Sequence, residues 1–426
     1  MKTLHVLIER NGAMEPVGIL SGYSAEDTCF QYLEEYLNSP FAYAISLSLP
    51  LQKEPFPVER TRTFFDGLLP EGFTRRAVAQ MMRLDENDYL SILSVLGREC
   101  IGALKIAGTD DIVSSGYERL STEQIKRLAE EGTTRSAEIV AKTHLSLTGA
   151  SGKAGLYFHE TENAWYLPIG DAPSTHIVKQ SHVRLESIIA NEQLCLLTAG
   201  FLGLDVPKSF IINVGEHRDE DVLFATRRFD RRFPKDGAAS LDGLTVPYRL
   251  HQEDFAQAMG IPASAKYEEE KKGYLKGMFD LLRKNSADPV TDQLKLWDYI
   301  IFDYLAGNTD NHIKNVSLLY STDLATLRLA PAYDILSTAV YESSTRDMAF
   351  YIGPEYRLSR INRESFEEAA IEAGLGRKLA MRRFDDMAGR FEKELAASTK
   401  ILKEQGIPNI DDLRERIMEL GGIASL

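Results

Sequence analysis

The segment DYLAGNTDNHIKN, residues 303–315, places Asp310, His312, Lys314 and Asn315 within six residues. Ionisable and amide side chains at that density are poor core material. The apolar run before them (Trp297, Ile300, Ile301, Tyr304, Leu305) reads as a buried helix ending at Gly307, so the polar stretch is a loop carried on a helix end. Asp310 and Asn315 are five residues apart, and Asp334 follows Asp310 by 24 residues in LAPAYDILS. This spacing suits phosphoryl transfer, in which one aspartate takes the proton of an attacking hydroxyl while an asparagine and a later aspartate hold Mg²⁺. Mg²⁺ keeps few protein ligands and fills its shell with water and phosphate oxygens, so Asn315 and Asp334 suffice as the metal set. No second His or Cys lies near His312, which is therefore expected to make an orienting hydrogen bond beside Asp310 and Asn315 in the catalytic set.

Such a site also needs a cation for the phosphates. Lys179 ends the strand-like THIVKQ, and Glu192 follows 13 residues later on a predicted helix, where the two could pair. Read alone, they would be a surface lysine and a solvated glutamate. Their position ahead of Asp310, Asn315 and Asp334 favours the phosphate role. Residues 146–155, SLTGASGKAG, are not a Walker A loop, which would need Gly at 147 and Ser or Thr at 154 where the chain has Leu147 and Ala154. Gly149, Gly152 and Gly155 still let backbone N–H groups approach a phosphate, although a plain hairpin turn reads equally well in isolation.

The elements that must position these residues follow from the patterning. Leu4, Val6 and Ile8 alternate with polar neighbours up to Asn11-Gly12, which predicts a hairpin returning through Val17–Leu20. Residues 41–51 read as a further strand and 59–107 as helical. The polar stretch 108–138 marks a boundary near residue 130. From 139 to 233 strands dominate (139–149, GLYFHE, AWYLPIG, THIVKQ, SFIINV, DVLFATRRFD) around one helix, ESIIANEQLCLLTAGFLG. Beyond Pro234 the chain is mainly helical, ending in a helix with Leu379, Phe384, Met387, Phe391 and Leu395 on its core side. The expected class is α+β, a two-lobed protein-kinase-like fold with an appended N-terminal module of strands and helices. Its three parts are residues 1–130, 131–233 and 234–426. His251–Asp254 opens a helix, either as simple capping or with a role beneath the site. Arg227, Arg228, Arg231 and Arg232 form either a patch for an acidic partner or salt bridges at the lobe junction.

The 426 residues carry 63 acidic and 49 basic side chains, a net charge of −14 that argues against the whole molecule coating nucleic acid or an anionic membrane. Cys29, Cys100 and Cys195 stand far apart, which predicts neither a disulfide framework nor a zinc knuckle and suits a reducing compartment. The N-terminus lacks the apolar stretch of a signal peptide and no apolar run is long enough to span a bilayer, so a cytoplasmic protein with no membrane contact is expected.

Taken together, the motifs resemble the HipA family of bacterial serine/threonine kinases, the toxin half of HipBA-type toxin–antitoxin systems. The resemblance spans nearly the whole chain. It runs through FFDGLLPEG, LGRECIGAL, SLTGASGK, THIVKQ, NEQLCLLTAGFLGLDVP, RRFDRR, HQEDFAQAMGIPASAKYE, GNTDNHIKN and LAPAYDILST. It implies Asp310 as the catalytic aspartate, Asn315 and Asp334 as Mg²⁺ ligands, and Lys179 as the ATP lysine. Further ATP contacts would come from Ser146, Gly149, Ala150, Ser151, Gly152, Lys153 and Lys314, and from the hinge Thr226, Arg227, Arg228 and Phe229, with adenine on the hinge backbone. It also implies a regulatory, autophosphorylated serine at the position of Ser146, with Thr148 and Ser151 as rivals. The family loop commonly has Gln where this chain has Ser151, and Glu where it has Arg227. The implied partners are a helix-turn-helix antitoxin of HipB type, DNA mainly through that antitoxin, and a protein substrate such as an aminoacyl-tRNA synthetase. Two other classes compete: a kinase-fold scaffold without activity, which the intact Asp310/Asn315/Asp334/Lys179 set disfavours, and a small-molecule kinase of aminoglycoside-phosphotransferase type, which FFDGLLPEG disfavours.

Overall fold

The computed structural model describes residues 1–108, 114–131, 152–181, 185–235, 237 and 239–426. Ser146, Thr148, Gly149, Ala150 and Ser151 lie outside the described residues, as does the strand expected over 139–149.

β1 (Lys2–Arg10) and β2 (Ala13–Gly22) form the expected hairpin. Its turn residues Asn11 and Gly12 have φ of 50° and 82°, the left-handed pair that Asn-Gly supplies most readily. β3 (Cys29–Tyr32) and β4 (Leu104–Ala107) complete an antiparallel sheet in the order β3-β2-β1-β4. α1 (Glu34–Leu37), α2 (Val58–Asp66), α3 (Gly72–Met82) and α4 (Tyr89–Leu96) belong to the same module, whose core buries Phe30, Phe56, Phe64 and Phe65. Two expectations change here. Residues 41–51 are not a strand but a series of turns with one isolated bridge, Ser46 to Leu49. Ile45 and Leu49 are each buried singly while the backbone curls towards Glu253. The helical stretch ends at Leu96 rather than 107. Leu104 and Ile106 are buried at a spacing of two and pair with β1 as β4.

β5 (Gly116–Arg119), β6 (Lys153–His159), β7 (Ala164–Ile169), β8 (His176–Gln180), β9 (Ser209–Asn213) and β10 (Val222–Arg227) make a six-stranded antiparallel sheet in the order β5-β7-β6-β8-β10-β9. Its edge strand β5 and the capped helix α5 (Thr122–Glu130) come from the polar stretch ahead of the boundary expected near residue 130. α5 packs Ile125 and Leu128 against Leu156, Val178, Leu223 and Ala225 on one face of the sheet. Alternation sends Lys153, Lys179 and Phe224 to the opposite face, where α6 (Ile188–Phe201) lies.

The remaining chain holds α7 (Phe255–Met259), α8 (Tyr274–Asn285), α9 (Pro289–Ala306), α10 (Arg363–Glu372), α11 (Arg377–Glu404) and α12 (Ile410–Leu420). A small antiparallel sheet of β11 (Gln252–Asp254), β12 (Ser317–Tyr320) and β13 (Leu327–Leu329) accompanies them. α11 packs against α6, α9, α10 and α12. It buries Phe384, Met387, Phe391 and Leu395 as expected, but Leu379 is 37% exposed. Leu379 stands five residues before Phe384, off the helical repeat, so Ala380 and Met381 bury in its place.

Candidate active site

α9 begins at the Asp288 cap with Pro289 in its first turn and stops at Gly307, whose φ is 71°. The N–H groups of Gly307 and Asn308 return to the carbonyls of Tyr304 and Asp303, a left-handed helix cap. A Cβ on Gly307 would stand 2.8 Å from the Ala339 Cβ and 3.0 Å from the Gly421 Cα, so the turn is also clamped. Beneath the loop, the buried Asp303 carboxyl accepts from Asn308 Nδ2 at 2.9 Å. Burial pushes that carboxyl up to about 7, although Asn308 and Asn311 oppose it. Within the loop, the Asp310 carbonyl accepts from the His312 N–H at 2.8 Å and from Asn315 Nδ2 at 2.9 Å, so Asp310 and Asn315 are brought together. The Asp310 carboxylate is half exposed in the cleft.

Asp334 follows β13 with φ of 57°, a left-handed conformation rare outside glycine, asparagine and aspartate. Its carboxylate meets two lysines that are register partners on adjacent strands, Lys153 on β6 and Lys179 on β8. Lys179 Nζ lies 2.5 Å from Asp334 Oδ1 and 2.6 Å from Glu192 Oε1 on α6. Lys153 Nζ lies 3.6 Å from Asp334 Oδ2. Burial works against the Lys179 charge, but Asp334 and Glu192 outweigh it and raise its pKa. Burial likewise acts against the Asp334 charge, and the two lysines outweigh it, holding the carboxyl far below the usual range. Lys153 goes the other way, lowered by burial and by Lys179 despite Asp334.

These groups line one cleft of about 480 Å³, together with Gly152, Asp310 and Asn315. Beside it lies an apolar recess walled by Ile177, Leu196, Phe229 and Tyr333, and by Leu68 and Ile101 of the N-terminal module. Lys314 borders both spaces, but its ammonium is taken by Asp254 at 2.9 Å and the Gly67 carbonyl at 3.2 Å, with Glu71 at 3.7 Å. Its charge is already paired, so it offers the cleft neither a free donor nor an unmatched positive charge. Asp254 also accepts from the Gln257 N–H at 2.8 Å, so it caps α7 and anchors the site at once.

Other expected contacts are relocated. The hinge N–H groups of Arg227 and Arg228 already bond the carbonyls of Lys208 and Thr175, at 2.8 and 2.9 Å, and Thr226 pairs with Ser209 in the sheet. Among the described residues, the Phe229 N–H has no intramolecular acceptor, and its ring stacks obliquely on Tyr333 with centroids 5.4 Å apart. The Arg228 and Arg231 guanidiniums are buried against Glu99 and Asp230, as junction salt bridges, while Arg227 and Arg232 stay at the surface. His312 makes no side-chain hydrogen bond to Asp310: its Nε2 is 4.0 Å from Oδ1 and its Nδ1 has no partner. Burial, assisted by Lys266, lowers its pKa to about 3, so the ring is neutral. The Tyr267 hydroxyl donates to Asp310 Oδ1 instead. Tyr267, Lys266 and Glu71, which all line the cleft, carry no expected chemistry in the sequence, although they sit inside HQEDFAQAMGIPASAKYE and FFDGLLPEG.

The described residues contain no group of three His, Cys, Asp or Glu side chains arranged to hold a metal. Asn315 and Asp334 line the same cleft, and their carboxamide and carboxylate oxygens are donors of the kind a hard cation takes alongside phosphate and water oxygens. Among the described residues no helix is long and apolar enough to cross a membrane.

Comparison with known proteins agrees with this geometry. Residues 145–395 match the HipA-like C-terminal domain, and residues 11–107 match the HipA N-terminal domain. Y4mE of Sinorhizobium fredii, which carries the name of a kinase, is 33% identical over 402 residues, covering 91% of this chain and 90% of its own. The serine/threonine-protein kinase toxin HipA of Shewanella oneidensis is 25% identical over 396 residues, covering 89% and 86%. The solved complex of Shewanella oneidensis HipA with HipB and operator DNA contains a chain of the same kinase-like fold, with a TM-score of 0.78, 21% identity and coverage of 97% and 96%. With both domain models matched in order and the fold shared from end to end, the chain belongs to the HipA family.

Proposed function

We propose that the protein is a serine/threonine protein kinase that uses Mg-ATP and acts as the toxin of a toxin–antitoxin pair. The observation that carries this reading is the convergence of Lys153, Lys179, Asp334, Asp310 and Asn315 on one cleft beside an apolar recess. In this reading the recess takes the adenine, with Phe229 and Tyr333 against its faces, and the two lysines steady the phosphates. Asn315 and Asp334 would hold Mg²⁺, which when bound would neutralise charge developing on the phosphoryl oxygens. The acceptor hydroxyl oxygen bonds to the γ-phosphorus as the bond to the β,γ-bridging oxygen breaks. The hydroxyl proton passes to the Asp310 carboxylate, and ADP leaves.

The kinase name of Y4mE, the serine/threonine kinase toxin name of the Shewanella oneidensis relative and the HipB–operator complex of the structural neighbour support the kinase, toxin and antitoxin parts of this reading. We assign the chain a HipB-type antitoxin that carries the DNA contact, a protein substrate of aminoacyl-tRNA synthetase class, and a cytoplasmic site of action. Self-inactivation would occur at Ser146, with Thr148 and Ser151 as rivals. Positioning and charge dominate such catalysis, so Asp310→Asn should lower transfer from Mg-ATP by about 100-fold or more while leaving the fold intact. Phosphate incorporation measured by radiolabel and mass spectrometry checks this. Equal incorporation by the variant would sink the assignment.

A further inference from the structure

Lys266 and Tyr267 of HQEDFAQAMGIPASAKYE and Glu71 of FFDGLLPEG take no part in the steps above, yet they line the same cleft as Asp310. The Asp310 backbone is fixed from several sides. Its N–H bonds Asn308 Oδ1 at 3.3 Å, and its carbonyl holds Asn315 and His312. The carboxylate itself is held differently. His312 stands too far to hydrogen-bond it, and the Tyr267 hydroxyl donates to Oδ1. Tyr267 is held in turn. Its ring meets His312 edge-on with centroids 5.2 Å apart, and the Lys266 ammonium lies 5.5 Å from its ring centre. Lys266 Nζ is bonded to Glu71 Oε2 at 2.7 Å, and Glu71 also faces Lys314. A chain of contacts therefore runs from the N-terminal module through Glu71, Lys266 and Tyr267 to Asp310.

We infer that Tyr267 is a positioning residue for Asp310, pinning one carboxylate oxygen so that the other faces the acceptor hydroxyl, and that the N-terminal module supports it through the Glu71–Lys266 bridge. This deepens the phosphoryl-transfer reading and rests on it. A hydroxyl on Oδ1 leaves Oδ2 as the open acceptor, and a carboxylate free to rotate would lose much of its near-attack population. Tyr267 is 41% exposed at the cleft rim, so removing its hydroxyl empties no core space.

The test uses the full chain with Mg-[γ-³²P]ATP as the probe, scoring phosphoryl release to the chain or to water. Tyr267→Phe should lower kcat about ten-fold with the KM for ATP within about two-fold, because the hydroxyl acts on the transfer step and not on nucleotide binding. Glu71→Gln should show the same kcat-only signature at about three-fold. A Tyr267→Phe protein with unchanged kcat overturns the inference, and so does one with raised kcat, which would make the hydroxyl a competitor of the acceptor. A change confined to KM overturns it as well. These outcomes are separable from failure of the kinase reading, which would appear as no release by the unaltered chain, or as release unaffected by Asp310→Asn.

Discussion

Replacing Glu99 by Gln tests whether the N-terminal module and the segment of residues 228–231 are joined chiefly by charge. Glu99 is 2% exposed. It accepts from Arg231 at 2.8 Å, from Arg228 at 3.3 Å and from the Ser174 N–H at 3.0 Å. Asp230, equally buried, takes the other side of Arg228 at 2.7 Å and the Gly102 N–H at 2.8 Å. Two guanidiniums thus face two carboxylates. The neighbouring Arg249 has its own partner, Glu9, at 3.1 Å, which leaves no spare carboxylate among these contacts. Glutamine keeps the volume and one acceptor but leaves a buried guanidinium charge unbalanced. Breaking a buried pair in this way costs about 3–5 kcal/mol. Two charge-assisted hydrogen bonds at about 1.5–3 kcal/mol each give a similar range. Urea unfolding, read on the first transition because a chain of several parts need not melt in one step, should show a loss of at least about 3 kcal/mol. Arg232→Ala, an exposed neighbour, should stay within about 0.5 kcal/mol. Burial opposes the Glu99 charge, but Arg228 and Arg231 win and lower its pKa. Its contribution is therefore full above the ordinary glutamate value of 4.5 and is lost as the pH falls from there, so the gap between variant and parent should close in acid. A Glu99→Gln protein within about 1 kcal/mol of the parent at neutral pH would refute the argument, because it would mean the buried charge is compensated elsewhere.

Gly307→Ala should destabilise the chain by more than about 1 kcal/mol, since φ is 71° and the added Cβ meets Ala339, and it should lower phosphoryl transfer by tilting the catalytic loop. Thermal melts and transfer assays on one preparation check both effects. His176 and His251 are buried and lowered to about 4, mainly by desolvation. The unfolded chain binds their protons from about pH 6.5 downward while the folded chain refuses them until about 4, so stability should fall as pH drops across that window. The slope is up to about 1.4 kcal/mol per pH unit for each histidine. Glu253, raised to about 7 by burial, titrates in the opposite sense and gains stability as pH falls below 7. Glu253→Gln should therefore steepen the acid loss measured by urea titration at pH 7, 6 and 5, and an unchanged slope would exclude this assignment.

The polar loop after Gly307, the Asp334 carboxylate that shares its cleft and the Lys179–Glu192 pair are legible in one sequence because local order encodes them. A buried helix stops at a glycine, a polar loop follows, and the cation precedes both along the chain. The Asn11-Gly12 hairpin was equally readable, since its turn chemistry is local. What escaped were contacts whose partners lie far apart in the chain. Tyr267 meets Asp310 across 43 residues and Lys314 meets Gly67 across 247, and no periodicity reports such pairs. The sequence points His312 to an orienting bond because no second His or Cys lies near it, whereas the hydroxyl that meets Asp310 comes from another segment. Residues 41–51 look like a strand because their apolar residues are spaced for one, yet among the described residues no neighbouring strand pairs with them, and tertiary context overrides the local preference. In the Arg227–Arg232 cluster, charge alone could not separate a surface patch from a junction. Burial does so, sending Arg228 and Arg231 inward and leaving Arg227 and Arg232 at the surface.

Charge balance in the cleft gives a physical reason for the divalent ion in the proposed reaction. Lys153 and Lys179 stand side by side on adjacent strands, an arrangement that two like charges would not tolerate without carboxylates between them. Asp334 and Glu192 supply those carboxylates, so the site is neutral as it stands. A triphosphate entering a neutral, partly desolvated cleft meets lysines whose charge is already matched, and its own charge must be met from another source. Lys314 cannot supply it, because its ammonium is bonded to Asp254 and the Gly67 carbonyl. A divalent cation carried in with the nucleotide would offset part of that charge, and in the proposed reaction Asp334 and Asn315 would ligate it while the lysines turn towards the phosphates. On this reasoning the cation is a condition of nucleotide binding as well as of transfer. The affinity for ATP should therefore depend on Mg²⁺ even in Asp310→Asn, where transfer is lost.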